Sequence, residues 1–128
     1  MRIACGFDHA GLPLRDAVVA GLEEDGHTVV DAGSHDDYPY AAAAVARALA
    51  EGAERAVLVC GSGAGVSVAA SKLPGVRAAT IHDGYTAHQG VEHHVAVLLQ
   101  RRHDDVAQRH AGVVEAADDP HRLETSRA

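Results

Sequence analysis

The 128-residue sequence predicts an α/β fold: a three-layer αβα sandwich around a doubly wound, parallel, five-stranded sheet of Rossmann-like type. Three observations predict it. Short apolar segments alternate with helical ones along most of the chain. The connections between them are short, which fits right-handed strand–helix–strand crossovers. The segment 55–60, RAVLVC, is apolar on both faces, as a parallel strand covered by helices on both sides must be.

Each element has its own local reason. Residues 2–6 form a short apolar strand, and the chain turns at FDHAG. Residues 12–25 read as an amphipathic helix with Leu14, Val18, Val19 and Leu22 on one face, ended by Gly26 as a helix C-cap. Residues 27–31 are a second strand. DDYPY at 36–40 opens an Ala-rich helix to about residue 51, with Pro39 suited to its first turn and the aspartates to capping. Strand three, 55–60, runs into GSGAG and a helix that ends at Lys72. Residues 76–81 form strand four, 85–92 a helix and 95–99 strand five. A last helix is expected over 104–117 and a polar, flexible tail over 118–128. No repeat or linker interrupts the pattern, so residues 1–128 read as one domain.

Composition excludes several function classes. The formal net charge of −7 argues against a nucleic-acid or anionic-membrane binder. The longest apolar run, Ala41 to Ala46, is far short of a membrane span. Met1-Arg2 leads directly into a strand, so no signal peptide is expected. Two cysteines, Cys5 and Cys60, do not make a secreted disulfide framework, and a reducing cytoplasmic setting is expected.

In an open parallel sheet, ligands bind beyond the carboxyl ends of the strands. Those ends deliver Asp8 and His9, then Asp36, Asp37 and Tyr38, then Cys60 with GSGAG, then His82 and Asp83. Glycines let the backbone approach a ligand, and successive N–H groups at a helix start attract negative charge. GSGAG lacks the Gly-Lys-Ser/Thr ending of a Walker loop and the spacing of a dinucleotide fingerprint, so alone it is a weak signal. The cysteine strengthens it. A thiolate is stabilised beside a helix N-terminus, where it can serve as nucleophile or general base. Cys60 stands at the exit of its strand, whereas Cys5 lies inside its strand and reads as a small core residue. A base beside an oxyanion cradle is what proton abstraction next to a carbonyl needs, and returning the proton to the neighbouring carbon is aldose–ketose isomerisation.

The segments IACGFDHAG, DDYPY, VLVCGSGAGVSVAASKLPGVRAA, HDGYTA and EHH, across residues 1–93, make the sequence resemble the ribose-5-phosphate isomerase B and galactose-6-phosphate isomerase family. The resemblance implies a sugar-phosphate isomerase in which Cys60 moves the proton, Ser62 lies near the reacting oxygens and His93 helps open the sugar ring. It also implies that Gly61, Gly63 and Gly65 cradle the anion, Asp8 holds sugar hydroxyls, His9 faces the phosphate end and Tyr38 lines the pocket. No metal and no cofactor are implied. The expected partners are a small sugar or sugar phosphate and a second copy of the chain, in a homodimer or dimer of dimers whose sites are completed across the interface.

The chain departs from the family pattern. His94 stands at the usual asparagine that helps bind the enediolate oxygen, and Val95 at the acid that follows. QRRHD at 100–104 replaces a glycine-rich turn with a phosphate-binding arginine, and the tail HRLETSR at 121–127 is shorter and out of register. Phe7 replaces a small residue, and its ring is expected to narrow the pocket mouth. Each lost charge-assisted phosphate contact costs about 1.5–3 kcal/mol. The proton-transfer half is therefore expected intact and the phosphate-binding half altered. The alternative expectation is the same enediolate chemistry on an unphosphorylated or specialised-pathway substrate, as isomerase, epimerase or lyase. A non-catalytic binding protein fits less well, because Cys60, Ser62, Asp8 and His93 are all retained. A metal site built on Glu92, His93 and His94 with His82 and His88 also fits less well: His88 and His93, five apart, do not share a helix face.

Overall fold

The computed structural model describes residues 1–93 and the backbone of one further strand, 96–100. The helix expected at 104–117, the tail, His94 and the altered 101–104 segment lie outside the described residues. Strand β1 (Arg2–Phe7) leads through a short 3-10 turn (Leu12–Leu14) into α1 (Arg15–Glu24) and then β2 (Thr28–Ser34). Helix α2 (Tyr38–Ala50) precedes β3 (Arg55–Cys60), which is followed by α3 (Ala64–Ser71) and β4 (Ala78–Ile81). Helix α4 (Gly84–Glu92) precedes β5 (Ala96–Gln100). The strands lie in the order β2-β1-β3-β5-β4, and every neighbouring pair is parallel.

Side-chain alternation divides the core between the two faces of the sheet. Ile3, Cys5, Phe7, Val57 and Val59 pack with Val18 and Leu22 of α1 and Ala87 and Val91 of α4. Ala4, Ala56, Leu58 and Cys60 pack with Ala41, Ala42 and Val45 of α2 and Val66 and Ala70 of α3. Helices therefore cover both faces, and the αβα sandwich is the expected one. The second face is built mostly from alanine and valine, which allows a close helix–sheet approach. A Cβ on Gly6 would lie 2.7 Å from Val45 Cγ2, so only glycine fits there.

The helix ends follow their residues. Gly26 adopts φ +86° after α1, its N–H bonds the Glu23 carbonyl, and the His27 N–H bonds the Leu22 carbonyl. That is the double C-terminal bond that a left-handed glycine permits. Gly52 ends α2 in the same way: its N–H reaches Leu49 and that of Ala53 reaches Ala48. At the start of α2, Asp37 caps through Oδ1, which accepts the Tyr38 N–H at 2.9 Å, and Pro39 sits in the first turn.

Phe7 corrects the sequence reading. The expected strand stops at residue 6, which leaves Phe7 free to face the pocket. The observed strand continues through Phe7, which shares a face with Ile3 and Cys5 and is fully buried in the α1/α4 core. The ring therefore does not narrow the mouth. β2 likewise runs on to Ser34, pairing Phe7 with Ser34 across a register irregularity. Phe7→Ala is expected to lower stability by about 3–5 kcal/mol, the usual cost of emptying an aromatic core site. Urea unfolding of the two proteins measures it.

Candidate active site

The site is assembled where β1 and β3 end side by side. Phe7 pairs with Val59, so Asp8 and Cys60 follow at the same level. The Asp8 N–H bonds the Val59 carbonyl at 3.2 Å. Asp8 is buried, and its Oδ1 accepts the Gly11 N–H at 2.8 Å, closing the loop on itself. Gly11 lies directly on β3: a Cβ there would be 2.1 Å from the Val59 carbonyl oxygen. Ala10 Cβ lies 3.5 Å from the position a Cβ on Gly61 would take. The loop after β1 is thus locked against the chain that carries the thiol.

Two further loops meet it. His9 is exposed, and its Nδ1 lies 2.7 Å from the Asp36 carbonyl, which joins the β1 loop to the start of α2. A carbonyl only accepts, so Nδ1 carries the proton in this bond. Tyr38 follows the Asp37 cap, and its ring lies over the start of α3: a Cβ on Gly65 would be 3.1 Å from its Cε1 and Cζ.

Cys60 ends β3 on the α2/α3 face and is only 4% exposed. Its Sγ accepts the Gly63 N–H at 3.0 Å. Gly63 makes this possible with φ +82°, a left-handed conformation that turns the strand into a helix within three residues. Ser62 is exposed, and its Oγ accepts the Ala64 N–H at 3.3 Å, which leaves the hydroxyl hydrogen for another partner. The first helical bond of α3 runs from the Ser67 N–H to the Gly63 carbonyl at 3.1 Å. The N–H groups of Gly65 and Val66 come ahead of it, in the first turn, where an intrahelical acceptor is normally lacking; Gly65 is half-buried and Val66 is buried. Of the three glycines expected to cradle an anion, Gly63 directs its N–H at the sulfur, Gly61 lies exposed beside Ala10, and Gly65 lies under Tyr38.

His93 is not brought to Cys60 within one chain. It caps the C-terminal end of α4, before β5 begins at Ala96, whereas Cys60 pairs with Gln100 at the other end of β5. The length of that strand, roughly 13 Å, separates the two levels. His88 Nε2 lies 3.7 Å from Glu92 Oε1 on α4, and Gln89 Nε2 donates to Glu92 Oε2 at 3.0 Å. Among the described residues, no group of three His, Cys, Asp or Glu side chains is placed to hold a metal ion. No helix among them is long and apolar enough to cross a membrane. Sequence reasoning missed Thr80, whose hydroxyl donates to the Gly63 carbonyl at 3.2 Å, because a threonine inside a short strand gives no signal of its own.

Residues 3–110 match the Ribose/Galactose Isomerase family. The chain belongs to this family of aldose–ketose isomerases. It is 40% identical over 103 residues to ribose-5-phosphate isomerase B of Escherichia coli, a match covering 77% of this chain and 69% of that one. It is 39% identical over 107 residues to D-erythrulose-4-phosphate isomerase 2 of Mycolicibacterium smegmatis, covering 77% and 70% respectively. Among solved structures, Clostridium thermocellum ribose-5-phosphate isomerase B superposes with a TM-score of 0.83 at 32% identity, over 98% of this chain and 92% of that one. The type B ribose 5-phosphate isomerase of Trypanosoma brucei superposes with a TM-score of 0.81 at 34% identity, over 98% and 93%.

The two thiols differ in surroundings. Burial, followed by the negative charge of Asp31, pushes the Cys5 thiol up to about 12, while nearby Arg15 acts in the opposite direction. Asp31 itself is held below the usual carboxylate range, first by its hydrogen bond from Arg15. Because the folded chain keeps Cys5 protonated above its ordinary value of 9.0, the associated stability is complete below pH 9 and is lost as pH rises toward about 12. The pH dependence of unfolding free energy is expected to be shallower over that alkaline range in Cys5→Ala than in the wild type. Denaturant titrations across the range measure it, and parallel curves would contradict the assignment.

Proposed function

We propose that the protein interconverts a small phosphorylated aldose and its ketose, with Cys60 carrying the proton through an enediolate. The observation that carries the reading is the Gly63 N–H donated to Cys60 Sγ at 3.0 Å, where the strand turns into the first turn of α3. The thiolate takes the proton from the substrate's C2, breaking C2–H and forming S–H. The electron pair moves into a C1–C2 double bond, and the negative charge collects on oxygen. The amide of Gly65 and the start of its helix stabilise that charge. Ser62, with its hydroxyl hydrogen unused by Ala64, attends the transfer of the proton between O1 and O2. The same sulfur then returns its proton to C1, and the ketose results.

Asp8, level with Cys60 at the end of β1, and His9 after it accept hydrogen bonds from the sugar and donate to it in this reading. Relatives named for both ribose 5-phosphate and D-erythrulose 4-phosphate point to a short phosphorylated chain as substrate. Because His93 lies at the far end of the sheet from Cys60 in its own chain, its ring-opening role requires a second copy of the protein. The reading therefore includes a homodimer with His93 acting in the partner's site. It also places the protein in the reducing cytoplasm, where a thiol base stays free; both Cys5 and Cys60 are free here.

NMR in D2O tests the chemistry, with ribose 5-phosphate, erythrulose 4-phosphate and free ribose offered separately. Conversion with deuterium at the transferred carbon is expected for a phosphorylated sugar, and Cys60→Ala is expected to be slower by about 10²–10⁴-fold, the usual contribution of a positioned base. Turnover of free ribose alone would move the assignment to an unphosphorylated substrate. Cys60→Ala turning over at the wild-type rate would remove the thiol from the mechanism.

The shared site has its own test. Cys60→Ala and His93→Ala proteins, each inactive alone, are mixed under conditions that exchange subunits. Half the dimers become hybrids with one intact site each, so about a quarter of the wild-type activity is expected to return. No recovery despite subunit exchange would place His93 outside the partner's site.

A further inference from the structure

We infer that Thr80 is a positioning residue for the thiol, holding Gly63 so that its N–H meets Cys60; the inference rests on the proposed role of Cys60 as the proton carrier. Thr80 lies in β4, the edge strand, and is separated from β3 by β5. It shares the sheet face of Ala78, the face covered by α3. From there it touches the turn twice. Its Oγ1 donates to the Gly63 carbonyl at 3.2 Å. Its Cγ2 lies 2.8 Å from the place where a Cβ on Gly63 would be. The hydroxyl fixes the peptide plane that follows Gly63, and the methyl fills the space beside its Cα.

Gly63 needs such a hold. With φ +82° and no side chain, it is the freest joint in the turn, and it lies between the sulfur and the helix. Its N–H belongs to the preceding peptide plane and its carbonyl to the following one. Fixing the carbonyl and the Cα therefore limits how far the N–H can swing from Cys60. The fold does not depend on the Thr80 bond, because the Gly63 carbonyl also accepts the Ser67 N–H at 3.1 Å and stays satisfied without the hydroxyl. The effect of losing the hydroxyl thus falls on the alignment of the N–H···S contact and less on the stability of α3.

Thr80→Val keeps the methyl and removes the hydroxyl, while Thr80→Ser does the reverse. With ribose 5-phosphate, kcat is expected to fall about three- to tenfold in Thr80→Val with KM nearly unchanged, as when an interaction made in the transition state is loosened, and to recover in Thr80→Ser. A second readout does not need turnover. The Gly63 amide proton resonance, followed by ¹⁵N-edited NMR, is expected to move upfield in Cys60→Ala as its sulfur acceptor is lost. Thr80→Val should move it in the same direction, and Thr80→Ser should leave it near the wild-type position. If Thr80→Val does not fold, Thr80→Ala is compared with Thr80→Ser instead. An unmoved Gly63 resonance in Thr80→Val, or equal shifts in Thr80→Val and Thr80→Ser, would overturn the hydroxyl's role. If the wild type turns over no sugar phosphate, the proposed function fails, while the amide resonance still decides the role of Thr80.

Discussion

A thiol at the end of a buried strand can meet a backbone N–H only if the chain reverses sharply, and here Gly63 does that with φ +82°. Its N–H returns to Cys60 while its carbonyl starts α3 through Ser67. One residue therefore couples the sulfur and the helix start. A side chain at this position would be strained by the left-handed backbone and would also strike Thr80. The site's geometry depends on that joint more than on any pair of charged groups.

The small residues of the α2/α3 face serve the same end. Ala4, Ala41, Ala42, Ala56 and Ala70 take the place that bulkier side chains fill in a thicker core. The thin layer lets α2 approach the sheet closely, as the contact of Gly6 with Val45 shows. Close approach brings Tyr38, at the first turn of α2, over Gly65 at the first turn of α3. On the other face Phe7, Leu22 and Ile81 supply the bulk. Large residues anchor the face away from the site, and small ones permit the convergence of loops at it.

Much of this was legible in the sequence because it rests on local rules. The capping role of Asp37, the helix-ending Gly26 and the apolar strand before Cys60 all follow from local demands of the chain. Strand ends were less legible. Placing the end of β1 one residue early sent Phe7 to the wrong side, since each added strand residue alternates its face. The turn's internal wiring was not legible at all. Nothing in GSGAG says which of its amides points at sulfur, because that depends on the torsion angles of the turn. Nor does Thr80 stand out, since its partner is seventeen positions away and reached only through the sheet's strand order. The level of His93 was readable from topology: a helix that follows one parallel strand must return to the start of the next.

The two cysteines show how far environment decides chemistry. Cys5 and Cys60 occupy neighbouring parallel strands and are both buried. Cys5 points into the α1/α4 core among aliphatic side chains, where its charged form is opposed by burial and by Asp31. Cys60 points to the opposite face at the level where its strand ends, so the next residues are free to turn back and present an N–H to its sulfur. A strand interior cannot offer this, because its neighbouring amides are committed to the sheet ladder. The position of a thiol relative to the end of its strand is therefore what separates a core-filling residue from one whose sulfur meets a backbone N–H.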